Sequence, residues 1–182
     1  KLIDGSNDWR EARLPTIHAK QILQVLQQFS EQKDIIDNLK SHMFVADLWN
    51  ETTAQQDGYI RRDVHFPQST IDTIYSGPHI GVANPLFQCS QWDCKTHRAF
   101  DSVDLTFAEE NYVQRMNYSI PCDIEHYLER LSLTSWGNRY NQNYRVISRK
   151  MLNLSGERSL ISCIAVPNSM HTNGILGLAC SH

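Results

Sequence analysis

Arginine, asparagine and glutamine carry paired hydrogen-bonding groups in one plane, the arrangement that matches guanine and adenine edges in the major groove. In this chain they collect in segments without regular periodicity. Arg61 and Arg62 sit beside a turn expected at Gly58, Lys95 and Arg98 fall in a central loop, and Arg115 follows Tyr112. Asn138, Arg139, Tyr140, Asn141, Gln142 and Asn143 read as an exposed polar run directly after Trp136-Gly137. Tyrosines among such residues can bond phosphate or stack on bases. A solvated loop has the same composition, so these residues alone leave both readings open.

Other chemistries have thinner support. Cys89, Cys94 and His97, with His79 or Asp93 as a fourth ligand, could hold zinc. The gap between the cysteines is loose and no second pair exists, which favours structural thiols. Asp93-Cys94-Lys95 fits half of a metal-dependent nuclease, with Asp72 as the partner acid. The eight glycines never occur as Gly-x-Gly, and Gly77-Pro78-His79-Ile80-Gly81 has proline where a phosphate cradle must donate. No cofactor site is therefore expected in this chain. Asn84-Pro85-Leu86-Phe87 is close to the Asn-Pro-Pro-aromatic box of amino-methylating enzymes, but leucine stands third; it reads as a turn with a buried phenyl ring. There is no Gly-x-Ser-x-Gly elbow, and the eight scattered histidines read as capping or surface residues.

The elements that must position these residues begin with a helical stretch. Pro15 suits a first turn, and Ile22, Val25, Leu26 and Phe29 then recur at helical spacing, continued by Ile35, Ile36, Leu39 and Met43. Phe44-Val45-Ala46 and Tyr59 to Val64 are strand-like, with Gly58 supplying a turn. Asp123 is placed to cap a helix whose inner face is Ile124, Tyr127, Leu128 and Leu131. Tyr144 to Ile147, Leu160 to Val166 and Ile175 to Ala179 read as strands, the second as fully buried. Without βαβ alternation, the expected class is α+β: a helical connector over residues 1–43, then a loop-rich mixed α/β domain over 44–182.

With 182 residues, 41% hydrophobic and 20% charged, the chain can bury a core and is not disordered. No apolar run reaches the roughly 18 residues of a membrane span. The start lacks a methionine or leader and the end is abrupt, so an excised piece of a longer protein is expected. An odd, sparse set of five cysteines points to free thiols in a reducing cytoplasm, where the three Asn-x-Ser/Thr sequons would carry no sugar. A net charge of −3 argues against a strongly basic nucleic-acid binder, though not against a module sharing its phosphate contacts with a neighbouring domain.

An ordered series runs through the chain: Trp49-Asn50-Glu51, Gly58 to Arg62, Ser76 to His79, Val82 to Phe87, Val103 to Thr106 and Tyr144 to Ile147 with Arg149. It ends in Gly156-Glu157-Arg158-Ser159-Leu160-Ile161, Pro167 and His171. From Trp49 to Ala179 this resembles the target-recognition region of large adenine-specific DNA methyltransferases and fused restriction-modification enzymes of the type IIG kind. The strand opening Gly156-Glu157-Arg158 and ending at Pro167 carries the resemblance furthest. Ser159 stands where threonine is usual, and Val166-Pro167 replaces a double proline.

The resemblance implies a DNA-binding specificity module with no chemistry of its own. Its partners would be double-stranded DNA and an upstream methyltransferase domain of the same chain. That domain would hold S-adenosylmethionine and methylate one adenine, with or without an endonuclease alongside. The expected readers are Arg61, Arg62, Lys95, Arg98, Arg115, Asn138, Arg139, Asn141 and Asn143. Glu157 and Arg158 are expected to clamp a strand. The competing classes are a magnesium nuclease built on Asp72, Asp93 and Lys95, and a protein-interaction domain docking through Ile22, Val25 and Phe29.

Overall fold

The computed structural model describes residues 8, 10–11, 17–33, 35–96, 98–151 and 158–181. Contacts divide the chain into two compact units, Lys1–Lys40 and Ser41–His182. The first contains α1 (Lys20–Glu31), formed where the spacing predicts it, with none of its residues buried. Pro15 lies outside the described residues. The helical spacing that continues through Met43 does not give a second α-helix. Ile36–His42 is a 3₁₀ turn, and Met43 already belongs to a strand.

The second unit has a mixed α+β architecture. Its main sheet is four-stranded and antiparallel, in the order β1 (Met43–Ala46), β10 (Ile175–Cys180), β7 (Arg145–Arg149), β8 (Ser162–Ala165). Alternation gives each strand one inner face. Arg145, Ile147, Cys163, Ala165, Ile175 and Ala179 point inward, whereas Val146 and Ile164 face out. Three small pairs complete the unit. They are β2 (Arg61–His65) with β6 (Met116–Ser119), β3 (Ile74–Tyr75) parallel to β9 (Met170–His171), and β4 (Gln88–Ser90) with β5 (Phe100–Ser102).

The run Leu160 to Val166 is not a fully buried strand. Only Ser162–Ala165 pairs, on the sheet edge, and Leu160 and Ile164 remain 71% and 63% exposed. A continuous apolar run does not reveal which faces are covered, and an edge position leaves one open. Ile80 to Ala83 forms a turn closed by a Gly81–Asn84 bridge. Phe87, expected to be buried, is 40% exposed and lies across Gly81, where an added Cβ would meet its ring at 2.8 Å.

The two larger of three apolar clusters among the described residues fix the framework. Tyr59, Ile60, Ile74, Tyr118, Tyr127, Leu131 and Met170 pack together with Ala54 of α2 (Thr53–Gln56), and α3 (Ile124–Glu129) supplies Tyr127. Asp123 caps α3 as its position predicts, its Oδ2 accepting from the Glu125 and His126 amides at 2.9 and 3.3 Å. Tyr75, Ile80, Met116, Ile147, Cys163, Ala165 and Ile175 form the second cluster. Arg145 enters this interior at 1% exposure with no carboxylate partner among the described residues. Its guanidinium donates to the carbonyls of Asn143 and Val166 and to Ser169 Oγ at 2.8–3.1 Å, and stacks on the Tyr140 ring at 5.0 Å. No helix among the described residues is long and apolar enough to cross a membrane.

Candidate nucleic-acid interface

The β4–β5 hairpin brings several of the expected readers into one neighbourhood. Its strands pair Gln88 with Ser102, Cys89 with Asp101 and Ser90 with Phe100. The loop between them is closed by the Gln91 amide donating to the Ala99 carbonyl at 2.9 Å. Cys94 anchors the loop from within: it is buried, and desolvation pushes its thiol pKa up. With Cys94 turned in, Trp92, Lys95 and Arg98 face solvent, Trp92 at 64% exposure.

The hairpin root is held by a chain of polar contacts. The Ser76 amide donates to His79 Nδ1 at 3.0 Å, so that nitrogen carries no proton and Nε2–H donates to Ser90 Oγ at 2.9 Å. Ser76 Oγ donates to Asn117 Oδ1 on β6 at 3.1 Å. Complete burial pushes His79 down to about 3, keeping it neutral. The expectation of a capping or surface role holds for the cap, but His79 is buried. His171 is buried as well, and burial pushes it down to about 4.

Arg115 reinforces the root rather than projecting from it. Its Nε donates to the Ser90 carbonyl at 2.8 Å, one NH2 reaches Cys89 Sγ at 3.4 Å, and Asp101 lies 3.7 Å away. Its guanidinium sits 5.2 Å from the Trp92 ring and 5.8 Å from that of Phe66. Phe66 and Trp92 meet edge to face at 5.7 Å, which stiffens the base of the loop.

Strand alternation separates Arg61 from Arg62. Arg61 is exposed and, among the described residues, pairs with Asp63 at 3.2 Å, a surface contact of little strength. Arg62 lies over the Tyr118 ring at 4.9 Å, donates to its hydroxyl and comes within 3.7 Å of Glu51. Tyr118 in turn donates to Glu51 Oε2 at 2.8 Å, and burial followed by Glu51 raises its pKa well above the phenol range.

The run Asn138 to Asn143 is not exposed throughout. Asn141 is 2% exposed and Tyr140 fully buried, because a 3₁₀ turn over Tyr140–Gln142 folds them inward. Asn143 donates to the Arg139 and Tyr140 carbonyls at 3.2 and 3.4 Å, and accepts from the Trp136 indole at 3.4 Å. Asn138 is exposed and Arg139 half-buried. Gly156 and Glu157 lie outside the described residues, Arg158 is exposed and outside any strand, and Pro167 follows β8 half-buried.

The residues of the alternative chemistries are engaged elsewhere. Asp72 lies 3.1 Å from His65 and accepts from the Gln68 amide at 3.2 Å. No hydrogen bond or ion pair joins it to Asp93 or Lys95 among the described residues. The Cys94 thiol points to the Thr96 carbonyl at 3.6 Å, Cys89 accepts from Arg115, and His97 lies outside the described residues.

Sequence reasoning missed the network Glu51–Tyr118–Arg62 and the link from Asn117 to Ser90. Both join residues far apart in the chain. The one local signal for the second is the spacing of Ser76 and His79, which in the structure form a reciprocal capping box. No family model, no curated protein and no solved structure matches the chain.

Proposed function

We propose that residues 41–182 form a DNA sequence-recognition module serving a catalytic domain elsewhere in a longer chain. By the resemblance described above, that domain is an adenine-specific methyltransferase of a restriction-modification system. The observation that carries this reading is the 91–99 loop. Trp92, Lys95 and Arg98 project into solvent from a hairpin whose root is fixed by His79, Ser90, Arg115 and Asn117, with Arg61 exposed on β2.

A rigid root suits a reader, because base-edge contacts discriminate only when their geometry is held. Lys95, Arg98 and Arg61 supply phosphate or guanine contacts, and Trp92 supplies a stacking surface. Asn138, exposed, and Arg139, half-buried, form a second candidate group. Arg62, Arg115, Asn141 and Asn143 support the scaffold in this reading. The module sets the register, and the upstream domain extrudes the adenine and transfers the methyl group. S-adenosylmethionine belongs to that domain.

The test is selection from a pool of randomised duplexes at about 50 mM salt, where phosphate contacts are less screened than at physiological salt. Sequencing the bound fraction should show one enriched motif. Lys95→Ala with Arg98→Ala should weaken binding and relax the motif. A pool without enrichment, or an unchanged motif and affinity in that variant, overturns the reading.

A further inference from the structure

The hairpin has a second surface, of the opposite charge. Between Ala99 and Gln114 the chain carries Asp101, Asp104, Glu109 and Glu110 and no lysine or arginine. All four carboxylates are exposed. Asp104 accepts from the Thr106 amide at 2.9 Å and its hydroxyl at 2.7 Å, which holds its carboxyl below the usual range.

This segment borders a cleft of about 640 Å³, walled largely by Phe66, Val103, Phe107, Tyr112 and Val113. Phe107 is 86% exposed; Leu105, two residues before it, is 49% exposed, and Val113, which shares the cleft lining, 43%. The one cation in the lining among the described residues, Arg115, is turned to the Ser90 carbonyl and lies 3.7 Å from Asp101, so its charge is engaged within the hairpin. An exposed apolar cleft with a charged rim marks an interaction site. The sign of the rim selects the partner: Asp104 and Glu109 line the cleft and Glu110 is exposed next to Glu109 in the chain, and these carboxylates repel a phosphate backbone and attract lysine and arginine.

We propose that this cleft docks a basic segment of a partner polypeptide. An aromatic or aliphatic anchor enters beside Phe107, and flanking lysines or arginines meet Asp104, Glu109 and Glu110. Buried apolar anchors supply most of the affinity in such contacts, while rim charges set partner choice and association rate. Neither Lys95 nor Arg98 lines this cleft, and the inference stands whether or not the loop tip reads DNA.

The experiment measures fluorescence anisotropy of a short labelled peptide in which leucine and phenylalanine anchors alternate with lysine pairs. A twin with glutamate for every lysine serves as control. The wild-type chain should bind the basic peptide and not the acidic one. Phe107→Ser, and separately Glu109→Lys with Glu110→Lys, should each weaken binding roughly tenfold. Phe107, Glu109 and Glu110 are all exposed, so these variants keep the fold. Three results overturn the proposal: equal binding of both peptides, basic-peptide affinity unchanged in both variants, or duplex DNA binding that Phe107→Ser abolishes. A concentration-dependent dimer dissolved by Phe107→Ser, without peptide binding, would assign the cleft to a second copy of the chain and overturn it too.

Discussion

The phenol oxygen of Tyr140 lies 2.9 Å from Nε2 of His171, and the two groups meet over Gly177 of β10. His171 Nδ1 faces the Thr172 carbonyl at 3.1 Å and must donate to it, so Nε2 accepts from Tyr140. A Cβ on residue 177 would stand 1.7 Å from the Tyr140 oxygen and 2.7 Å from Nε2. Glycine is needed here for space.

Gly177→Ala should therefore cost about 3 kcal/mol in urea denaturation. Adding Tyr140→Phe removes the 1.7 Å clash and leaves the ring carbon at 3.0 Å, so the double variant should recover part of the loss. Additive losses would show that the clash is not the cause.

Stability should fall in mild acid. His79 and His171 are buried neutral, their pKa values held near 3 and 4 against an ordinary 6.5. Below pH 6.5 the unfolded chain takes up protons that the folded chain refuses. The stability is thus present above the unfolded value and is lost as pH falls toward 4. Each imidazole contributes a slope of about 1.4 kcal/mol per pH unit in that window. His171→Gln should roughly halve the slope, whatever it costs at neutral pH. A flat stability profile from pH 7 to pH 5 would contradict the burial.

Neighbouring arginines should behave differently. Arg62→Ala strips a donor from Tyr118 and leaves Glu51 without its cation, so it should destabilise the fold by about 1–2 kcal/mol. Arg61→Ala, Lys95→Ala and Arg98→Ala should stay within about 0.5 kcal/mol of the parent. If they contact phosphates, each should lower the salt dependence of DNA binding by about one ion. Thermal melts beside salt titrations separate the two groups.

Arg145→Lys should be more damaging than a conservative exchange suggests. The guanidinium reaches two carbonyls and a hydroxyl while stacked on Tyr140, a geometry an ammonium cannot copy. A loss of about 2–4 kcal/mol is expected from the acceptors left unpaired. Retained stability in chemical denaturation would mean that the stack, rather than the bonds, holds the site.

Local signals in the sequence were legible where a single element decides. The spacing of Ile22, Val25, Leu26 and Phe29 marks α1, Asp123 marks the start of α3, and Gly58, with φ +76°, marks the turn before β2. What failed depends on partners distant in the chain. Leu160 to Val166 has the composition of a covered strand, but its place at the sheet edge is set by β7. Arg62 and Asn141 look like surface donors until Tyr118 and the 3₁₀ turn draw them in. The split between exposed arginines, such as Arg61 and Arg98, and engaged ones, such as Arg62 and Arg115, was hidden for the same reason, since side-chain type is the same in both.

The pairing of β1 with β10 places Met43 opposite Cys180, and the Ser181 amide donates to the His42 carbonyl at 2.9 Å. The two ends of the sheet-bearing unit thus leave it through adjacent backbones. Such a unit can be spliced into a surface loop of a host protein, or exchanged for another, with little cost in loop closure. Under the proposed reading, the unit would carry its choice of site with it when cut at His42 and Ser181 and moved into a new host.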